Sequence, residues 1–133
     1  MCAARDVALV IDDEPDVRFA IKLMLERLGY LTLAACDGEE GLKLFEQYRP
    51  ILVITDLLMP RREGIETIRA FRGHEHKTTV IAISGGMAAR DFLPFALKLG
   101  ADYAIAKPFS FGELSAVLAR LFPYKEYPQP HLG

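Results

Sequence analysis

Three short apolar runs, each closed by a polar residue, constrain this chain more than any other feature. Val7-Ala8-Leu9-Val10-Ile11 ends at Asp12-Asp13, Ile51-Leu52-Val53-Ile54-Thr55 ends at Asp56, and Thr79-Val80-Ile81-Ala82-Ile83 ends at Ser84. Weaker runs cover Leu31–Ala35 and Tyr103–Ala106, the latter followed by Lys107. Continuous apolar runs, unlike alternating ones, belong to strands buried on both faces, as in a parallel sheet. Parallel neighbours need long crossovers, usually helical and right-handed.

The intervening segments have helical spacing. Val17, Ala20, Ile21, Met24 and Leu28 share one face, with Gly29 placed to end the helix. Asp37 is placed to cap a helix with Leu42, Phe45 and Tyr48 on its apolar face. Ile65, Ile68 and Phe71 line a third, ended by Gly73. Asp91 is the expected cap of a fourth, which puts Pro94 in the first turn, turns Phe95, Ala96 and Leu99 inward, and stops at Gly100. Ser110 caps a fifth, faced by Leu114, Val117, Leu118 and Leu121. Five strands alternating with five helices make a single α/β domain, and 133 residues suffice for one such core.

Composition narrows the function classes. With 51% hydrophobic and 26% charged residues, the chain is not a disordered one. A formal charge of −2 does not suit a phosphate-binding nucleic-acid platform. No signal peptide opens the chain and no apolar run is long enough to span a membrane, so the expected location is cytoplasmic. Cys2 and Cys36 read as free thiols. Residues 123–133, with three prolines and two tyrosines, read as an extended tail.

In an open parallel sheet, ligands bind beyond the carboxyl ends of the strands. Asp12, Asp13, Asp56, Ser84 and Lys107 therefore converge. Three carboxylates in one small volume repel, and their protons titrate as a group. Lys107 offsets one charge, and a divalent cation brings the formal sum to zero. Hard oxygen ligands select Mg²⁺, or Mn²⁺, over Zn²⁺. A carboxylate in that setting can attack phosphorus and become an acyl phosphate. The metal, Lys107 and the Ser84 hydroxyl would stabilise the transferring oxygens, while Gly85 and Gly86 leave room for close approach.

These residues resemble the receiver domain of two-component response regulators over Val7 to about Leu121. The motifs are Ile11-Asp12-Asp13-Glu14, Thr55-Asp56-Leu57-Leu58-Met59-Pro60 with Gly64, Ile83-Ser84-Gly85-Gly86, and Gly100-Ala101-Asp102 leading to Lys107-Pro108-Phe109. The resemblance implies a flavodoxin-like doubly wound (βα)5 domain over residues 1–122, with a five-stranded parallel sheet in the order 2-1-3-4-5. It implies Asp56 as phosphoacceptor and Asp13 and Asp56 as direct metal ligands. Asp12 would act through metal-bound water and the Leu58 carbonyl as a further ligand. Ser84 and Lys107 would contact the phosphoryl group, and Lys107-Pro108 would be a cis peptide. Receivers often carry Tyr or Phe three residues before the lysine. Here that position is Ala104, and Tyr103 falls on the opposite strand face.

The implied function is a phosphorylation-controlled interaction module that modifies mainly itself and is not an enzyme of small molecules. The donor would be a sensor histidine kinase or phosphotransfer protein, and an unidentified downstream protein would read the changed surface. Neither nucleic-acid binding nor membrane insertion is implied, and a homodimer stays open. A phosphorelay intermediate or phosphate sink would use the same Asp56 chemistry. A flavodoxin-like cofactor binder is a weaker alternative, because Asp12-Asp13-Glu14 would repel an anion. A phosphatase would show turnover. Arg61 and Arg62 read as solvated loop charges or contacts for an incoming donor, and His74, His76 and His131 as bystanders.

Overall fold

The computed structural model describes residues 6–57, 63–73, 77–85 and 89–125. The elements alternate without exception: β1 (Val7–Ile11), α1 (Pro15–Arg27), β2 (Leu31–Ala35), α2 (Gly38–Tyr48), β3 (Leu52–Asp56), α3 (Glu63–Arg72), β4 (Thr79–Ser84), α4 (Ala89–Leu99), β5 (Tyr103–Ala106) and α5 (Phe111–Leu121). All strand pairs are parallel, in the order β2-β1-β3-β4-β5.

The pleat explains why the strand sequences are apolar throughout. Ala8 and Val10 face one core with Ile21 and Leu25 of α1 and Leu114 and Leu118 of α5. Leu9 and Ile11 face the other, with Phe45 of α2, Ile68 and Phe71 of α3, and Ala96 of α4. Successive residues thus serve opposite layers, and each fully buried Leu or Ile contributes about 1.5–3 kcal/mol relative to exposure. Helix α2 comes close to β1 at Gly41, where a Cβ would collide with the Ile11 side chain.

Several helix signals act as expected. Asp37 accepts from Glu40 N–H at 2.8 Å and Ser110 from Glu113 N–H at 3.0 Å, each satisfying an otherwise orphan donor. Gly29 and Gly100 adopt φ of 97° and 116°, in the left-handed region that favours glycine. Other expectations need correction. The buried stripe of α1 runs through Ile21, Leu25 and Leu28, and Ala20 is exposed. Tyr48, the last residue of α2, is exposed where Arg49 turns left-handed. Helix α4 begins at Ala89, before Asp91, so Pro94 lies in its interior and removes one i to i−4 bond. Within α4, Ala96 is fully buried, while Phe95 on its flank is exposed. The side chains of Ile65 and Asp91 are outside the described residues.

The end of the sheet remote from the strand carboxyl termini is closed by Arg72. Its guanidinium donates to Thr78 O at 3.0 Å and Gly100 O at 2.6 Å, and pairs with Asp102. Asp102 also accepts from Val80 N–H at 2.8 Å. After α5, Lys125 pairs with Asp6 and lies 4.9 Å from the Tyr30 ring centroid. Residues 126–133 of the tail lie outside the described region.

Candidate functional site

Four strand exits build the site. Asp12 follows β1 and is fully buried; its N–H reaches Ala35 O at 3.2 Å, and its Oδ1 accepts from Glu14 N–H at 2.9 Å. Arg18, one turn into α1, donates to Asp12 O at 2.8 Å. The chain therefore turns sharply into the helix with Asp12 held under it and Asp13 in solvent. Asp56 closes β3 and Ser84 closes β4, both buried. Lys107 follows β5, its N–H bonded to Ser84 O at 2.7 Å, and Lys107-Pro108 is cis.

Lys107 Nζ joins these exits. It lies 2.9 Å from Asp56 Oδ2, 3.2 Å from Asp12 Oδ2 and 3.2 Å from Glu14 Oε1. Its stem passes over Gly85, where a Cβ would meet Lys107 Cε at 3.4 Å. Burial works to lower the Lys107 pKa, but the hydrogen bond and charge of Asp56, aided by Asp12, raise it above the ordinary lysine value. Burial raises the Asp12 carboxyl above the usual carboxylate value; the adjacent Asp56 charge adds to this, against the Glu14 N–H and Lys107.

Carboxylate oxygens of Asp12, Asp13, Glu14 and Asp56 all lie within 4.8 Å of one another. The sequence pattern counted three carboxylates; Glu14 is a fourth. Against Lys107, four leave a formal charge of −3, so a divalent cation would leave −1 rather than zero. The sequence sets Glu14 beside Asp12 and Asp13 as a charge that repels an anion but does not place it in the cluster, because a Glu entering a helix ordinarily reads as a solvated N-terminal charge. Its place directly after Asp-Asp was the available signal.

The donor set fits a hard divalent cation: among the described residues it is all oxygen, with no His or Cys within the cluster. The Ser84 Oγ is buried and has no hydrogen-bond partner among the described residues, an orphan that an incoming oxygen acceptor would satisfy. The third expected metal ligand, the Leu58 carbonyl, lies outside the described residues, as do Gly86, Arg61, Arg62, His74, His76, His131 and Cys2. Cys36 is exposed, and its thiol donates to Glu40 at 3.1 Å, a bond that raises its pKa. Ala104 pairs with Ala82 on the α4 side of the sheet. Tyr103 pairs with Ile81 and packs against the α1/α5 core, on the opposite face as expected.

Comparison with known proteins places this arrangement in company. Residues 8–119 match the model of the response regulator receiver domain. The chain is 33% identical over 122 residues to the alkaline phosphatase synthesis transcriptional regulatory protein PhoP of Bacillus subtilis, covering 92% of this chain and 50% of that protein. It is 38% identical over 112 residues to the probable transcriptional regulator ycf27 of Porphyridium aerugineum, covering 84% and 46%. The chain thus spans about half the length of the curated relatives it matches. Among solved structures it resembles a receiver domain protein from Clostridium thermocellum, at TM-score 0.80, 30% identity, and 90% and 95% coverage of the two chains. It also resembles the chemotaxis response regulator CheY4 of Vibrio cholerae, at TM-score 0.79, 25% identity, and 89% and 99% coverage.

Proposed function

The chain belongs to the response regulator receiver domain family of two-component signalling proteins, and on that premise we propose that Asp56 is its phosphoacceptor. The observation that carries this reading is the buried Asp56 carboxylate 2.9 Å from Lys107 Nζ, with Ser84 and its orphan hydroxyl at the end of the neighbouring strand. A carboxylate so placed has one oxygen oriented by the ammonium, as a nucleophile requires.

The donor is a phosphohistidine on a sensor kinase or phosphotransfer protein. An Asp56 oxygen attacks phosphorus, the O–P bond forms as the P–N bond breaks, and the imidazole leaves with the electron pair and takes a proton from solvent. Lys107 turns an N–H to one phosphoryl oxygen, and Ser84 Oγ donates to another. Asp13 and Asp56 directly, Asp12 through water and the Leu58 carbonyl would hold Mg²⁺. When bound, the ion supplies charge neutralisation and orientation of the transferring oxygens. The acyl phosphate then changes a surface read by a downstream protein. We assign residues 1–122 to the receiver and 123–133 to a tail, and the cytoplasm as its compartment. No helix among the described residues is long and apolar enough to cross a membrane.

Incubation with Mg²⁺ and phosphoramidate, followed by mass spectrometric location of the label, tests the reading. Label is expected on Asp56 and is lost in Asp56→Asn. Full labelling of Asp56→Asn would overturn it.

A further inference from the structure

An ammonium has three N–H bonds, and Lys107 spends all three on carboxylates: Asp56, Asp12 and Glu14. It can take a phosphoryl oxygen only by releasing one of them. The three partners are unequal. Asp12 is fully buried and also holds the Glu14 N–H, so releasing it strands a charge away from water. Asp56, with a side chain only 4% exposed, is the group that receives the phosphoryl. The Glu14 side chain is 61% exposed and is solvated whether or not it touches Lys107.

The Glu14 backbone is fixed while its side chain is free to swing. Its N–H is bonded to Asp12 Oδ1, its carbonyl accepts from Arg18 N–H at 2.9 Å, and Pro15 starts the helix immediately after it. Its carboxylate makes no capping hydrogen bond to α1 and is engaged instead with Lys107.

We propose that Glu14 is a positioning residue that holds Lys107 in the unphosphorylated domain and is the partner exchanged for the incoming phosphoryl oxygen. The proposal rests on Asp56 being the phosphoacceptor. Glu14 then competes with the phosphoryl group for one N–H and slows modification. Two variants separate this competition from bulk charge. Glu14→Gln removes the charge. Glu14→Asp keeps it but, from a fixed backbone, withdraws the carboxylate from Lys107. Glu14 is solvent-exposed, so both variants are expected to fold.

The test is a labelling time course with saturating Mg²⁺ and phosphoramidate, in which the P–N bond breaks, the Asp56 O–P bond forms and ammonia leaves. Both variants should label about two- to fivefold faster than the native chain, the scale of one exposed ion pair. Without Mg²⁺ or donor, the Lys107 side-chain NMR resonances should move in both variants while core amides such as Ile54 stay in place. Faster labelling of Glu14→Gln with native rates for Glu14→Asp would assign the effect to charge and overturn the proposal. Native or slower rates in both would overturn it too. If the native chain carries no label on Asp56, the phosphoacceptor reading fails, and unmoved Lys107 resonances would independently sink the Glu14 contact.

Discussion

Lys107 and Asp56 are 51 residues apart in the chain, yet their ammonium and carboxylate meet at 2.9 Å. The strands that carry them are not neighbours: β4 lies between, and Lys107 spans it over Gly85. The lysine stem thus crosses the exit of the middle strand to reach the carboxylate of the strand beyond it.

Replacing Lys107 should cost stability before it costs anything else. Lys107→Met leaves three carboxylates without their ammonium, two of them buried. Loss of one partner from a buried pair costs about 3–5 kcal/mol, and partial exposure brings the expected figure to about 1–3 kcal/mol. Urea denaturation without divalent cations reads this directly, and added Mg²⁺ should recover part of the loss.

Ser84 gives the opposite sign. Its buried hydroxyl has no partner in the unmodified domain, so Ser84→Ala should leave unmodified stability unchanged or raise it by up to about 1 kcal/mol. The same variant should respond less to phosphorylation, measured as smaller amide shifts on adding Mg²⁺ and beryllofluoride. A marked loss of unmodified stability would show that the hydroxyl already has a structural role.

The pH dependence follows from Asp12. Its carboxyl is raised by burial and by the Asp56 charge, so the folded chain holds this proton to higher pH than the unfolded chain does. This contribution lowers stability as pH climbs from the ordinary aspartate value toward the raised one. Asp12→Asn should therefore stabilise the metal-free domain at neutral pH. Mg²⁺ affinity of the native chain should weaken as acid is added, beginning above the ordinary carboxylate range; NMR titrations at several pH values check it.

Propagation should run along the fourth strand and helix. With Ala104 at the position where related domains often carry an aromatic ring, amide shifts on adding Mg²⁺ and beryllofluoride should concentrate from Ser84 to Leu99 and around Lys107. Ala104→Tyr should alter their size without being needed for them. Changes confined to Asp12, Asp13 and Asp56 would show that the signal stops at the site.

The strands and the convergence of Asp12, Asp56, Ser84 and Lys107 were legible because two-sided burial forces apolar runs, and the polar residue ending each run marks its exit. Glu14 was not, since its partner lies 93 residues away and no local periodicity reports such a contact. The start of α4 was hidden because Asp91 is a plausible cap and Pro94 normally argues for a first turn. The helix instead carries its proline inside, with Ala96 packed in the core.

The Arg72 clamp makes the two ends of β4 unlike. One end is riveted: Val80 N–H is held by Asp102, and Arg72 ties Thr78 and Gly100 to the same point. The other end carries Ser84, whose hydroxyl is unengaged. The backbone of that end is tied as well, by Lys107 N–H to Ser84 O at 2.7 Å and by Leu57 N–H to Ile83 O at 2.9 Å. The strand is thus moored at both ends, and what it holds in reserve at the site end is a side-chain donor rather than slack in its backbone.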